Sequence, residues 1–128
     1  MPLVKISMLK IWNENEKYII SDKIHESLVE AFKIPEDDYN HQIIEFERSN
    51  YLYSKNKTEK YILIEMTIFP GRSKKAKSEL YEKIVNKLSE LKIQPQDITI
   101  VLNEPPLENW GLSGKSGEET NIGFNLNV

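Results

Sequence analysis

The chain has 128 residues, 39% of them hydrophobic and 29% charged, with 17 Lys and Arg against 20 Asp and Glu for a formal net charge of −3. That length suits one domain with a real core and is too short for two, and the acidic balance offers no electrostatic footprint for nucleic acid or an anionic membrane. With no cysteine there is no disulfide framework, thiol nucleophile or Cys-based metal site, no apolar run reaches the length of a bilayer span, and the absence of a secretory segment points to the cytoplasm.

In chain order, Val4, Ile6 and Met8 alternate with Lys5 and Ser7, the period-two pattern of a half-buried strand starting almost at the first residue. Asn13 is placed to cap a helix carrying Ile20, Ile24, Leu28 and Phe32 on one face, which Pro35 stops. Residues 42–48 read as a second strand, and 51–58 as a polar loop or short ribbon. Residues 60–69 give the longest strand signal, with Ile62, Ile64, Met66 and Ile68 on one face, ended by Pro70-Gly71. Ser73 is placed to cap a second helix through Leu80, Ile84 and Leu88. The β-branched run from Ile98 to Leu102 reads as a buried strand. After Pro105-Pro106, the alternation of Ile122, Phe124, Leu126 and Val128 reads as a strand suited to a sheet edge.

The order is strand, helix, strand, twice over. A shift of 60 positions carries Val4 to Ile64, Ile24 to Ile84, Leu28 to Leu88, Pro35 to Pro95 and Asp37 to Asp97. Such self-similarity is the signature of an internal duplication. The expected architecture is α+β, a single domain over 1–128 with repeats at 2–48 and 60–104 and a tail at 105–128. Two β-α-β units share a four-stranded sheet with both helices on one face, and a C-terminal strand is added. A pseudo-twofold axis would set the two first strands antiparallel in the middle, bringing Pro2 close to Phe69, Pro70, Gly71 and Arg72.

Removal of Met1 would leave Pro2 with a free secondary amine fixed at the start of a strand, able to take up or deliver a proton. The plainer alternative is a proline opening a strand where its missing N–H costs nothing. Arg72 lies where the second helix begins, so a fork of donors adds to free backbone N–H groups and the helix dipole to make a carboxylate site. A guanidinium nearby would hold the amine toward its free base, which suits abstraction of a proton beside a carbonyl.

Met1-Pro2-Leu3-Val4, the doubled β-α-β, Pro70-Gly71-Arg72-Ser73 and the segment from Asn103 to Trp110 together resemble the tautomerase superfamily, closest to its malonate semialdehyde decarboxylase-like branch. That resemblance implies a cofactor-independent enzyme with the trimmed proline as catalytic acid or base, arginine holding the substrate carboxylate, and a homotrimer. It also marks Asp38 as the position of a functional aspartate that orients a water or the proline ammonium, whereas Asp37, paired with Asp97 in the repeat, reads as a structural turn acid. Pro70 stands where that branch carries a second arginine, which favours simple enol–keto chemistry over decarboxylation.

The expected catalytic set is therefore Pro2, Arg72 and Asp38, with Arg72, Phe69 and Trp110 contacting a small carboxylate substrate. Trp110 serves equally well as packing in a loop or interface. His25 and His41 have no partners at ligand spacing, so no metal is expected and both read as structural. The open sheet face, with Tyr61 and Leu63, calls for cover, and cyclic packing of three sheets with tail exchange would provide it. The alternatives are a hydratase or decarboxylase of a 3-oxo acid, with Pro2 protonated and Asp38 activating water, and a ferredoxin-like binding module without catalysis.

Overall fold

The computed structural model describes residues 1–128. In order, the chain forms β1 (Leu3–Leu9), α1 (Glu14–Phe32), β2 (His41–Phe46), β3 (Ile62–Thr67), α2 (Lys74–Leu88) and β4 (Ile98–Asn103), then a short hairpin of β5 (Gly111–Leu112) and β6 (Lys115–Ser116). The sheet runs β2-β1-β3-β4, with β1 and β3 antiparallel and each outer strand parallel to its inner neighbour. Both helices cover one face, where Val4, Ile6 and Met8 of β1 meet Ile24, Leu28 and Phe32 of α1 and Leu80, Ile84 and Leu88 of α2 in a single core. Neither helix is long and apolar enough to cross a membrane.

Local chemistry sets the helix ends. Asn13 and Glu16 exchange side-chain and backbone hydrogen bonds at 2.8 and 2.9 Å in a capping box. The helix closes at Lys33, whose left-handed φ of 58° lets its N–H reach the Val29 carbonyl. Ser73 caps α2 by accepting from the Ala76 N–H at 3.1 Å.

The central register is symmetric under the 60-residue shift: Val4 pairs with Met66, and Ile6 pairs with Ile64. The outer strands reveal one asymmetry. From Val4 to its partner His41 is 37 positions, whereas from Ile64 to its partner Ile100 is 36. The first half thus carries one extra residue between Asp37 and His41, in the loop that holds Asp38.

Three expectations change. β4 is a half-buried edge strand, and Val101, beside Glu65 on the uncovered sheet face, is 41% exposed. The tail from Asn121 is extended, with Ile122, Phe124, Leu126 and Val128 half-buried and the residues between them exposed. It joins no ladder in the single chain, and the β structure of this region is the hairpin. Instead Phe124 and Val128 pack on the core, and the Val128 carbonyl accepts from Ser73 N–H at 2.8 Å. Finally, the open sheet face is partly covered. Tyr51 reaches over it, donating to the carbonyls of Ser7 and Tyr61, and its ring stacks against Phe46 and Tyr61.

Candidate active site

The antiparallel pairing of Leu3 with Thr67 sets Pro2 beside Ile68 at the end of the central strands, next to the Phe69–Arg72 turn. Pro2 is buried. The N-terminal ammonium of Met1 forms an ion pair with Asp38, which brings the Asp38 carboxylate to the residue next to Pro2. Asp38 lies in the loop that carries the extra residue of the first half. Asn40 donates to the same carboxylate oxygen at 3.1 Å, and its own carbonyl accepts from Val4 N–H at 3.0 Å, tying the loop to β1. His25 secures the other side by donating from Nε2 to the Glu36 carbonyl at 2.8 Å.

Arg72 is only 6% exposed. Its guanidinium lies 5.0 Å from the Phe32 ring centre and 5.9 Å from that of Phe124. Nη1 donates to the Phe69 carbonyl at 3.0 Å, while Nε and Nη2 are buried without a partner. Burial disfavours the cation, and the nearby carboxylates of Glu104 and Asp38 act against that. A planar cation held by one carbonyl, with two donors unspent, is matched to a two-oxygen anion. The turn before it needs glycine: Gly71 has φ of 125°, and a Cβ there would lie 3.2 Å from the Leu126 carbonyl and from Asn127 Oδ1 of the overlying tail.

Phe69 and Trp110 pack ring on ring with centroids 4.5 Å apart, both buried, and Trp110 Nε1 donates to the Pro105 carbonyl at 3.1 Å. Trp110 therefore supports Phe69, whose carbonyl in turn holds Arg72.

A model of the family described as tautomerase enzyme matches residues 37–113, and the chain is 31% identical over 116 residues to the probable tautomerase YusQ of Bacillus subtilis (strain 168), covering 86% of this chain and 91% of that one. The chain belongs to the tautomerase family. The tautomerase fold is shared with FG41 malonate semialdehyde decarboxylase inhibited by 3-bromopropiolate, at a TM-score of 0.81 and 19% identity over 91% of this chain and 92% of that one. Native fused 4-OT gives 0.82 at 11% identity over 91% and 96%. Asp38, Phe69, Arg72 and Trp110 lie inside the matched family span, and Pro2 precedes it.

Of the expected tautomerase residues, Pro2, Asp38, Arg72 and Phe69 converge at one end of the sheet, with Trp110 behind Phe69. Sequence reasoning passed over Asn40, Phe32, Phe124 and Glu104. Glu104 is the partner of Lys77 at 2.5 Å and the nearby acid that bears on Arg72, and its only signal was its place after β4, facing the start of α2. A depression of about 670 Å³ opens at the same end, bordered by Leu3, Lys5, Glu65, Thr67 and Asn103 and, on the β2 side, by Tyr39, Asn40 and His41.

His41, which borders that depression, gives a pH prediction. Burial, reinforced by His25 and opposed by Asp22, pushes its imidazole down to about 4. The unfolded chain protonates near 6.5, so between about 6.5 and 4 it binds the proton that the folded chain refuses. Stability from this group is complete above about pH 6.5 and is lost as pH falls toward 4, by about 1–2 kcal/mol. Urea unfolding at pH 7 and pH 5 is expected to show this drop in the wild type and a smaller one in His41→Gln.

Proposed function

We propose that, with Met1 removed, the protein is a cofactor-independent tautomerase that moves a proton between carbon and oxygen of a small 2-oxo acid or its enol. Arg72 takes the carboxylate with the two donors that have no partner in the chain, and the Pro2 amine carries the proton between carbon and oxygen. Asp38 stays beside the amine and steadies its protonated form. The observation that carries this reading is the buried Arg72 guanidinium with Nε and Nη2 unsatisfied, close to an N-terminus already engaged by a carboxylate. Phe32 and Phe124 lower the local dielectric around that guanidinium, which strengthens a carboxylate contact.

The test is ketonisation of phenylenolpyruvate by preparations with Met1 retained and removed, verified by intact mass. A retained Met1 makes the Pro2 nitrogen a tertiary amide with no basic lone pair. Turnover confined to the trimmed form supports the proposal, and equal turnover in both forms refutes the role of Pro2.

One observation favours a second reading. The Asp38 carboxylate is paired with the N-terminal ammonium, an arrangement that suits a protonated amine giving its proton to a substrate while Asp38 activates water. One malonate semialdehyde decarboxylase of this fold, 19% identical to this chain, is described as having decarboxylase and hydratase activities. Pro70 in place of a second arginine weighs against decarboxylation here.

The assembly we propose is a homotrimer, the state described for fused 4-OT proteins of this fold. Leu3 at 42% exposure and Leu52 at 90% stand on the surface that such packing would cover. Multi-angle light scattering at micromolar concentration is expected to report three chains per particle, and a monomer there would overturn the trimer.

A further inference from the structure

A second cluster of polar side chains lies between α1 and the start of β2. Ser21, 6% exposed, meets Tyr39 Oη at 2.9 Å and His41 Nδ1 at 2.8 Å, and Tyr39 Oη donates to Asp22 Oδ1 at 2.8 Å. Counting protons fixes the direction of the whole chain. An ionised Asp22 only accepts, so the single Tyr39 hydroxyl proton is spent on it. Ser21 must then donate to Tyr39, which leaves its oxygen able only to accept from His41. His41 therefore carries its proton on Nδ1 and presents a bare Nε2 lone pair.

That nitrogen has no partner in the chain and retains contact with solvent. His41 borders a cleft of about 380 Å³ with Tyr18, Tyr39 and Ile43 as its larger apolar walls. Lys17 at the rim is already neutralised by Glu45 at 2.9 Å, so the cleft offers no free cation to an anionic ligand. Burial keeps the imidazole uncharged at neutral pH and pushes the Tyr39 hydroxyl up to about 12, so the chain of donors holds its direction across the physiological range.

We infer that this cleft, which shares Tyr39 and His41 with the depression at the Pro2 end, is a binding site for a small uncharged aromatic alcohol whose hydroxyl donates to His41 Nε2 while its ring lies against Tyr39 and Ile43. The acceptor calls for a donor, the walls call for an apolar body, and with Lys17 paired to Glu45 no free cation is left for a carboxylate, although Glu14 at the rim keeps its own charge. Ser21 acts through His41 by fixing which nitrogen is bare.

The experiment is nitrogen-15 NMR of the histidine rings in the full chain, with phenol as the probe. The expected free state shows His41 as the Nδ1–H tautomer, and phenol should shift its Nε2 resonance saturably. His41→Phe, which keeps a ring of similar size, should weaken phenol binding at least tenfold by backbone shifts of Ile43 and Tyr39. Ser21→Ala should weaken it several-fold and populate the other tautomer. A His41 that is Nε2–H in the wild type, no saturable shift up to millimolar phenol, or equal affinity in wild type and His41→Phe would each overturn the inference. Benzoate serves as the charged comparison, and binding as tight as phenol's would overturn the assigned ligand class.

Discussion

With Met1 removed, Arg72→Ala is expected to lower kcat/KM for phenylenolpyruvate by about a hundredfold, close to 2.7 kcal/mol of transition-state stabilisation. Two charge-assisted hydrogen bonds to a carboxylate in a site walled by Phe32 and Phe124 are worth at least that much between them. Arg72→Lys should recover only part of the loss, since an ammonium cannot present the planar fork. Pro2→Ala is expected to cost at least tenfold, about 1.4 kcal/mol. The loss in Arg72→Ala should come without loss of stability. The wild-type cation is buried with two donors unsatisfied, and removing it relieves a desolvation cost. Steady-state kinetics alongside thermal melting separates the two effects: unchanged kcat/KM in both Pro2→Ala and Arg72→Ala would sink the mechanism, and a collapsed melting temperature in Arg72→Ala would show that its buried charge is structural.

The second large effect concerns the two aspartates related by the 60-residue shift. Asp97 is 1% exposed. It accepts from Thr58 N–H at 2.7 Å and Thr58 Oγ1 at 2.6 Å, clamping the loop before β3 to the start of β4. Asp37 is exposed, and only its backbone carbonyl is engaged, by Tyr39 N–H. Asp97→Ala strands two donors, so it is expected to destabilise the fold by about 2–4 kcal/mol. Asp37→Ala should stay within about 0.5 kcal/mol of wild type. Denaturant unfolding of the two variants decides the matter, and equal losses would mean that Asp37 has a structural role which its exposure conceals.

That contrast shows what the sequence could and could not reveal. The spacing of Ile20, Ile24, Leu28 and Phe32, the caps Asn13 and Ser73, and the alternation through Val4, Ile6 and Met8 are set by helix and strand geometry over a few residues, and such local periodicity is directly readable. The shared offset of the two halves also carried the antiparallel pairing that brings Pro2 to the Arg72 turn. Identical offset did not mean identical role, however. Asp97 has the loop before β3 to hold, through Thr58, whereas the exposed Asp37 carboxylate has no donor from the chain. The tail alternates as a strand does, yet a ladder needs a second strand at its edge, and that is not a property of the tail. The covering of Arg72 by Phe124 depends on a contact between residues 52 positions apart, for which no local pattern exists.

The symmetric central register has a consequence for stoichiometry. A 60-residue shift maps the caps Ser73 and Asn13 onto each other, and it maps Arg72 onto Trp12 and Pro2 onto Ile62. At this mirror end of the sheet Ile62 is fully buried in mid-chain, with a peptide bond where the other end offers an amine. Trp12 fills the arginine's place and has the Lys60 ammonium 5.8 Å from its ring centre. The twin end thus offers neither a terminal amine nor a guanidinium fork for a carboxylate. Each polypeptide should titrate with a single equivalent of a carboxylate inhibitor, and calorimetry on a trimer should saturate at three molecules, where an assembly of six separate half-length β-α-β units of the same shape would offer six sites.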